Sequence, residues 1–357
     1  MANINSNATN VTRDMSSWTQ QDSSQTYDMP SGLQTFIMYL ISSSAILTNL
    51  MVFYTVPKMK KKINDSTRSA MLNLAVTDAL LGIGSFISRT VYVISPEAFF
   101  KHLCVADAYF NPFLASMSIF GLSFLNLDKF LTLAFPLRYT IHMTSKKAAA
   151  ILITIWITLL IYYISFNASL SSEERYMENT FICFGHYFED TALVSAWQIL
   201  DLLLVLVLPV TVCIVSLIGI CCVMKRYRTR SGSLHEGQQR PASNIGKTTV
   251  YAILAVNFSF FFMIMPFVIC INIWELVTDD IPGPDAFFVT TWLVAANSTV
   301  NPLIYIPTMR SYRKELKNGF VQFIMGKCGK EEPFSGNTTD MTNTKKTDTL
   351  DVSDSRL

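Results

Sequence analysis

Cys104–Tyr139 reads CVADAYFNPFLASMSIFGLSFLNLDKFLTLAFPLRY. A cysteine opens it, an apolar run broken by small polar residues follows, and Asp128-Lys129-Phe130 arrives shortly before Pro136-Leu137-Arg138-Tyr139. From Cys104 to Asp128 is 24 residues, roughly 36 Å of helix at ~1.5 Å per residue, a little more than a bilayer's hydrocarbon thickness. One helix thus brings a thiol to one face of a membrane, polar groups to its middle and a charge pair to the other face. That layout suits a transmitter of signals.

The rest of the chain agrees. Half of its 357 residues are hydrophobic and 15% are charged, and the mean hydropathy is positive, too apolar for an ordinary soluble domain of this length. Seven apolar segments of spanning length follow one another, at about Leu33–Val56, Ser69–Ser95, His102–Phe135, Ala148–Ser165, Ala196–Met224, Thr248–Trp274 and Ala286–Pro307. The fold class expected is an all-α membrane protein, a seven-transmembrane helix bundle followed by an amphipathic eighth helix. Lys and Arg gather after the first span (Lys58, Lys60, Lys61, Lys62, Arg68), the third (Lys129, Arg138, Lys146, Lys147), the fifth (Lys225, Arg226, Arg228, Arg230, Arg240, Lys247) and the seventh (Arg310, Arg313, Lys314, Lys317). The other side has Arg13, Lys101 and Arg175, so the amino terminus is expected outside and the carboxyl terminus in the cytosol of a plasma-membrane protein. Residues 1–32 are polar and lack an apolar leader core, so the first span is expected to act as its own insertion signal. They form an extracellular tail with sequons at Asn7 and Asn10. Residues 33–309 form the transmembrane domain and 310–325 an amphipathic juxtamembrane helix. Residues 326–357, rich in Asn, Thr, Ser, Asp and Lys, are expected to be a disordered cytoplasmic tail.

Topology sorts the cysteines. Cys104 and Cys183 face the oxidising side, and a disulfide between them would pin the loop after the fourth span over the bundle. Cys328, just beyond the amphipathic run, suits S-palmitoylation. The terminal Ser355-Arg356-Leu357 suits docking in a PDZ-type groove.

Ionisable residues inside a span are costly and therefore functional candidates. Asp78 is the deepest, and Ser118 of the third span with Asn297, Ser298 and Asn301 of the seventh supplies oxygens for a hard cation. A bound sodium ion is predicted there; the plain alternative is a hydrogen-bonded network without an ion. Arg89 returns to nearly the same helix face about three turns further out, Asp107 and Asn111 share a face of the third span at i, i+4, and Asp201 is the one charge in an apolar fifth span. Together these predict an outward pocket with two carboxylates and a guanidinium. The alternative is that Arg89 pairs with Asp107 and only closes the structure. Asp201 has no obvious cationic partner in its own span, which makes it the better ligand candidate.

An ordered set of residues carries a resemblance: Asn49 in the first span, Leu74 and Asp78 in the second, Cys104 and Asp128 in the third, Trp156 in the fourth, Cys183 in the loop, Pro209 in the fifth, Pro266 in the sixth and Asn301-Pro302-Leu-Ile-Tyr305 in the seventh. Over about Leu33 to Cys328 the chain resembles the rhodopsin-like (class A) G-protein-coupled receptors. The resemblance implies that an outside ligand favours an outward swing of the sixth helix and opens a cytosolic cleft for a heterotrimeric G protein. Asp128, Lys129, Pro266, Asn301, Pro302 and Tyr305 would take part in that change. Arrestin and a receptor kinase are implied on the tail, with no catalytic cofactor and no enzymatic activity. Four departures from the family bear on coupling and the trigger: Lys129-Phe130 where Arg-Tyr follows the aspartate, Ile264 in place of a sixth-helix tryptophan, Leu217 in place of the usual fifth-helix tyrosine, and Gly246 where some members have an acidic partner for the third-helix arginine. High basal activity and weak coupling both stay open. Trp292 and Asn297-Ser298-Thr-Val-Asn301-Pro302 look like the seventh helix of amine and trace-amine receptors, although Asn111 stands where amine receptors carry an aspartate. A small amine or other small polar ligand, contacting Arg89, Asp107, Asn111, Asp201 and Trp292, is expected. A peptide steered by acidic outer loops is the alternative.

Other classes fit less well. The seventh span has no lysine for a retinal Schiff base, and His102, His142, His186 and His235 lie in loops or at helix ends, away from any intramembrane hydrolytic centre. A small-solute transporter is the alternative from another class, but no internal repeat is visible. Membrane lipid is an expected partner and nucleic acid is not.

Overall fold

The computed structural model describes residues 30–60, 62–169, 173–177, 181–186, 192–231, 242–272 and 284–325. Asn7, Asn10 and Cys328 lie outside them. The chain divides into two units, 1–318 and 319–357; the described part of the second is the end of the last helix.

Ser31 starts the first helix with a capping box: its hydroxyl accepts the Gln34 N–H, and the Gln34 side chain accepts the Ser31 N–H. Helix α1 (Gly32–Thr55) turns Ser42, Ala45, Asn49 and Val52 inward and Leu40, Leu47, Leu50 and Met51 outward. Helix α2 (Asp65–Ile94) begins four residues earlier than hydropathy suggests, because Asp65 in its first turn suits the helix dipole and pairs with Arg68 at 2.7 Å. A short α3 (Pro96–His102) follows, opened by Pro96 and by the Ser95 hydroxyl accepting the Ala98 N–H. Then come α4 (Cys104–Ala134), a second short helix α5 (Pro136–His142) and α6 (Ser145–Ser169). Strands β1 (Glu173–Met177) and β2 (Ile182–His186) form an antiparallel hairpin in which Tyr176 faces Cys183.

The fifth span is built in three parts. Helix α7 (Ala192–Asp201) passes into a π-helical segment, Leu202–Val207, and then into α8 (Leu208–Ser231). Pro209 lacks an N–H and its ring crowds the carbonyl four residues back, so the helix widens before it, and Leu208 N–H reaches Leu203 O. Helix α9 (Ala242–Asn272) contains Pro266, and α10 (Pro284–Thr308) contains Pro302. After Met309 the chain forms α11 (Arg310–Met325), whose Tyr312 and Leu316 pack on the core.

Six of the spans (α1, α2, α4, α6, the π segment with α8, and α9) are long and apolar enough to cross a membrane by composition alone. Helix α10 is long enough, but Thr290, Thr291, Asn297, Ser298 and Asn301 lower its hydropathy; all five are buried against the other helices. The all-helical bundle with a following amphipathic helix is as expected; the loop hairpin is an addition.

Two apolar clusters bracket the polar middle. An inner one includes Val52, Met71, Leu125, Phe260, Tyr305 and Tyr312. An outer one joins Met38, Tyr92, Phe99, Phe181, Phe288 and Trp292 around the disulfide. Between them α2 and α4 come close at Gly121, where a Cβ would sit 2.9 Å from Asn73 Nδ2. That approach leaves Asn73 Oδ1 aimed at the Trp156 indole N–H of α6, 2.8 Å away.

Candidate functional site

Polar residues gather at three depths. At the outer one, Arg89 Nη2 of α2 donates to Asp107 Oδ2 of α4 at 2.7 Å, and the two side chains are 1% and 2% exposed. The same oxygen accepts the Cys183 N–H at 3.2 Å, and the guanidinium lies 5.5 Å from the Phe99 ring centroid. Cys183 is itself bonded to Cys104. An acid and a base this far from water pair because either one alone would carry an uncompensated buried charge. This is the pairing offered above as the alternative to an open pocket: the charges of Arg89 and Asp107 are spent on each other.

Asn111, one turn inward from Asp107, is half-buried. Trp292 is buried beside Phe288, ring centroids 6.3 Å apart, and Phe288 in turn meets Phe181 at 6.2 Å. Phe181 has φ 57°, the left-handed region that a bulky residue enters only when its surroundings hold it there. Its ring fills the aromatic cluster below the hairpin, a role that no sequence signal beyond its place two residues before Cys183 could have flagged.

Asp201 is elsewhere, at the end of α7. It is half-buried, and Oδ1 accepts the Tyr162 hydroxyl of α6 at 3.1 Å. Tyr162, Phe166 and Trp197 form one group of rings with centroids 5.5–6.1 Å apart. Among the described residues no lysine or arginine pairs with Asp201. Of the two carboxylates expected in the pocket, Asp107 thus has a basic partner and Asp201 has none among the described residues.

At mid-depth, Asp78 is fully buried. Oδ1 accepts Ser118 Oγ and Ser298 Oγ, each at 3.0 Å, and Oδ2 accepts Asn301 Nδ2 at 3.2 Å. Asn49 Nδ2 bonds the Ser298 carbonyl at 3.0 Å, bringing α1 into the same group. Four of the five residues predicted from α2, α4 and α10 thus meet, and the fifth, Asn297, is also buried. Asn297 Oδ1 and Asn301 Oδ1 are buried and have no hydrogen-bond partner among the described residues.

At the inner end the Asp128 carboxylate accepts the hydroxyls of Ser66, of Thr67 at 2.7 Å and of Tyr139 at 2.9 Å. Burial, and then the Asp128 charge, push the Tyr139 hydroxyl well above the usual phenol range, so it stays a donor. The Lys129 ammonium donates to Thr67 and lies 3.8 Å from Asp128 Oδ2. Both charges are therefore committed to the foot of α2 and to α5. Phe130 in place of a tyrosine lies against Gly219 of α8, where any Cβ would overlap its ring. Ser66 and Thr67 escaped sequence reading because hydroxyls at a helix start look like ordinary caps.

The comparisons with known proteins agree with this layout. The description "7 transmembrane receptor (rhodopsin family)" matches residues 48–305. Trace amine-associated receptor 13c of Danio rerio is 27% identical over 300 residues, 78% of this chain and 84% of that protein. Histamine H2 receptor of Cavia porcellus is 24% identical over 302 residues, 80% and 81% of the two chains. Neuromedin-K receptor of Homo sapiens is 20% identical over 289 residues, 79% of this chain and 60% of its own length. With the matched segment running from α1 to Tyr305 of α10, the chain belongs to the rhodopsin family of seven-transmembrane receptors.

Proposed function

We propose that this receptor sits in the plasma membrane with its amino terminus outside, binds a small amine through Asp201 and activates a heterotrimeric G protein. The observation that carries the ligand class is the half-buried Asp201 carboxylate, which has no basic partner among the described residues and stands beside the rings of Tyr162, Phe166 and Trp197. An ammonium group is stabilised both by a carboxylate and by aromatic faces. The names of the trace-amine and histamine relatives support the same class. Asn111 and Trp292 complete the proposed ligand region.

The test is nucleotide exchange on a panel of G proteins, in membranes holding the receptor, with small amines added. Loss of a partly buried charge pair of ~2 kcal/mol or more predicts that Asp201→Ala shifts amine potency at least ~30-fold. An amine response that survives Asp201→Ala unchanged removes the carboxylate from the site.

The residues around Asp78 fit a monovalent cation. A buried carboxylate with no basic partner among the described residues, two hydroxyls and the amide oxygens of Asn297 and Asn301, likewise unpartnered among them, are hard oxygen donors, too few in charge for a divalent ion. Asp78, Ser118, Asn297 and Ser298 would hold sodium, which would supply the positive charge that the buried carboxylate lacks. Raising sodium is expected to lower agonist affinity several-fold in the wild type and to leave Asp78→Asn unaffected; an equal effect in both would rule the site out.

Glycosylation at Asn7 and Asn10, palmitoylation at Cys328, and arrestin, receptor-kinase and PDZ-domain binding on the tail complete the proposal. Rearrangement at Asp128, Lys129, Pro266, Asn301, Pro302 and Tyr305 would convey ligand binding to the cytosolic face.

A further inference from the structure

Helices α4 and α9 are joined by an amide pair. Asn126 Nδ2 donates to Asn257 Oδ1 at 2.7 Å, and Asn257 Nδ2 donates back to Asn126 Oδ1 at 2.8 Å. Asn257 Nδ2 also reaches the Ile253 carbonyl, 2.7 Å away and one turn back on its own helix. Both residues are buried, at 0% and 2% exposure. Less than one turn outward on α4, Ser123 Oγ donates to the Pro209 carbonyl at 2.8 Å and lies 3.3 Å from Cys213 Sγ. Polar contacts therefore run from α8 through α4 to α9.

Among the described residues, the charges less than one turn further in are held by other elements. Asp128 and Lys129 are taken up by Ser66, Thr67 and Tyr139, and by each other.

We propose that the reciprocal Asn126–Asn257 pair holds the third and sixth spans in the closed packing, and that its rupture frees the sixth span to swing. Neither amide has water to turn to at this depth, so each is satisfied by the other. The two N–H···O bonds form and break together, because a shift of about an ångström that lengthens one lengthens the other. The contact is thus two-state. A wet cytosolic cleft would solvate both amides at once, so the open state leaves no buried group unsatisfied. Asparagine is neutral, so the pair's strength depends little on pH or salt, unlike a charged latch.

This inference rests on the reading of the chain as a receptor that moves its sixth span, so the test reads the motion itself. Nitroxide labels are placed at the cytosolic ends of α4 and α9, in a background with the other reactive cysteines replaced. Distances are measured without ligand or G protein for the wild type, Asn126→Leu, Asn257→Leu and the double variant; nucleotide exchange is recorded alongside. Interhelical hydrogen bonds in membranes are worth enough to predict a roughly three- to fifteen-fold rise in the separated population for each single variant. The double variant should add little more, since both singles destroy the same contact. The double variant leaves no orphaned amide and keeps the seam apolar, so it carries the test if a single variant does not fold. Unchanged distances in the folded double variant, or single effects that multiply in it, would overturn the proposal. A shift in distance with no change in exchange would uphold the latch and count against G-protein coupling.

Discussion

Arg89→Met is expected to cost this receptor about 3–5 kcal/mol of stability, the usual penalty for stranding one member of a buried ion pair. Arg89 and Asp107 are 1% and 2% exposed at the side chain, so little solvent screens what remains. The Cys183 N–H still reaches Asp107 Oδ2, but one amide does not offset a buried carboxylate's lost hydration. Asp107→Asn should cost less, since an amide oxygen can still accept from both donors. Combining Arg89→Met with Asp107→Leu should recover much of the loss, because neither charge is then buried. Thermal unfolding of the purified receptor checks all three. A loss under about 1 kcal/mol for Arg89→Met would mean that apolar packing around Tyr92 and Phe99, rather than the ion pair, holds the outer end.

Cys183→Ser comes next, at about 3 kcal/mol. The bonded cysteines are 79 residues apart, which on a free chain would favour the upper end of the range for disulfides. Two membrane spans lie between them, however, and the bilayer already restricts those. The loop that the bond closes is in effect the stretch from Ser169 to Cys183, about 14 residues long, for which loop-closure entropy gives ~3 kcal/mol. Without the bond, Phe181 also loses what holds its positive φ, so its ring should leave the cluster with Tyr92 and Phe288. Because Cys183 also donates to Asp107, this change and Arg89→Met should be non-additive. Thermal stability and surface expression equal to wild type in Cys183→Ser would contradict the argument.

The spans, the disulfide and the Asp78 group were legible because a membrane makes their signals loud. Long apolar runs, a few outward cysteines and a lone deep carboxylate have few alternative explanations there. Partner choice between helices was less legible. Arg89 and Asp107 lie at compatible depths, but whether they face a pocket or each other depends on helix rotation, which hydropathy does not encode. Asn126 and Asn257 are 131 residues apart, and each alone reads as an ordinary polar residue in a span. The π-helical turn before Pro209 and the β1–β2 hairpin arise from local backbone geometry rather than from composition. The short α3 and α5 were missed for a simpler reason: each is a single stretch of seven residues, too short to carry a period.

Helix α10 carries its polar face into the bundle at a cost to its own affinity for lipid. During synthesis it leaves the ribosome last among the spans, when α1, α2 and α4 already stand in the bilayer and offer Asn49, Asp78 and Ser118 as partners. Its entry from the translocon is therefore expected to depend on contacts with earlier helices as well as on partitioning into lipid. The order in which the spans are made becomes part of how the receptor reaches its membrane. A defect at the Asp78 group would then surface first as retention during biogenesis, before any ligand is met.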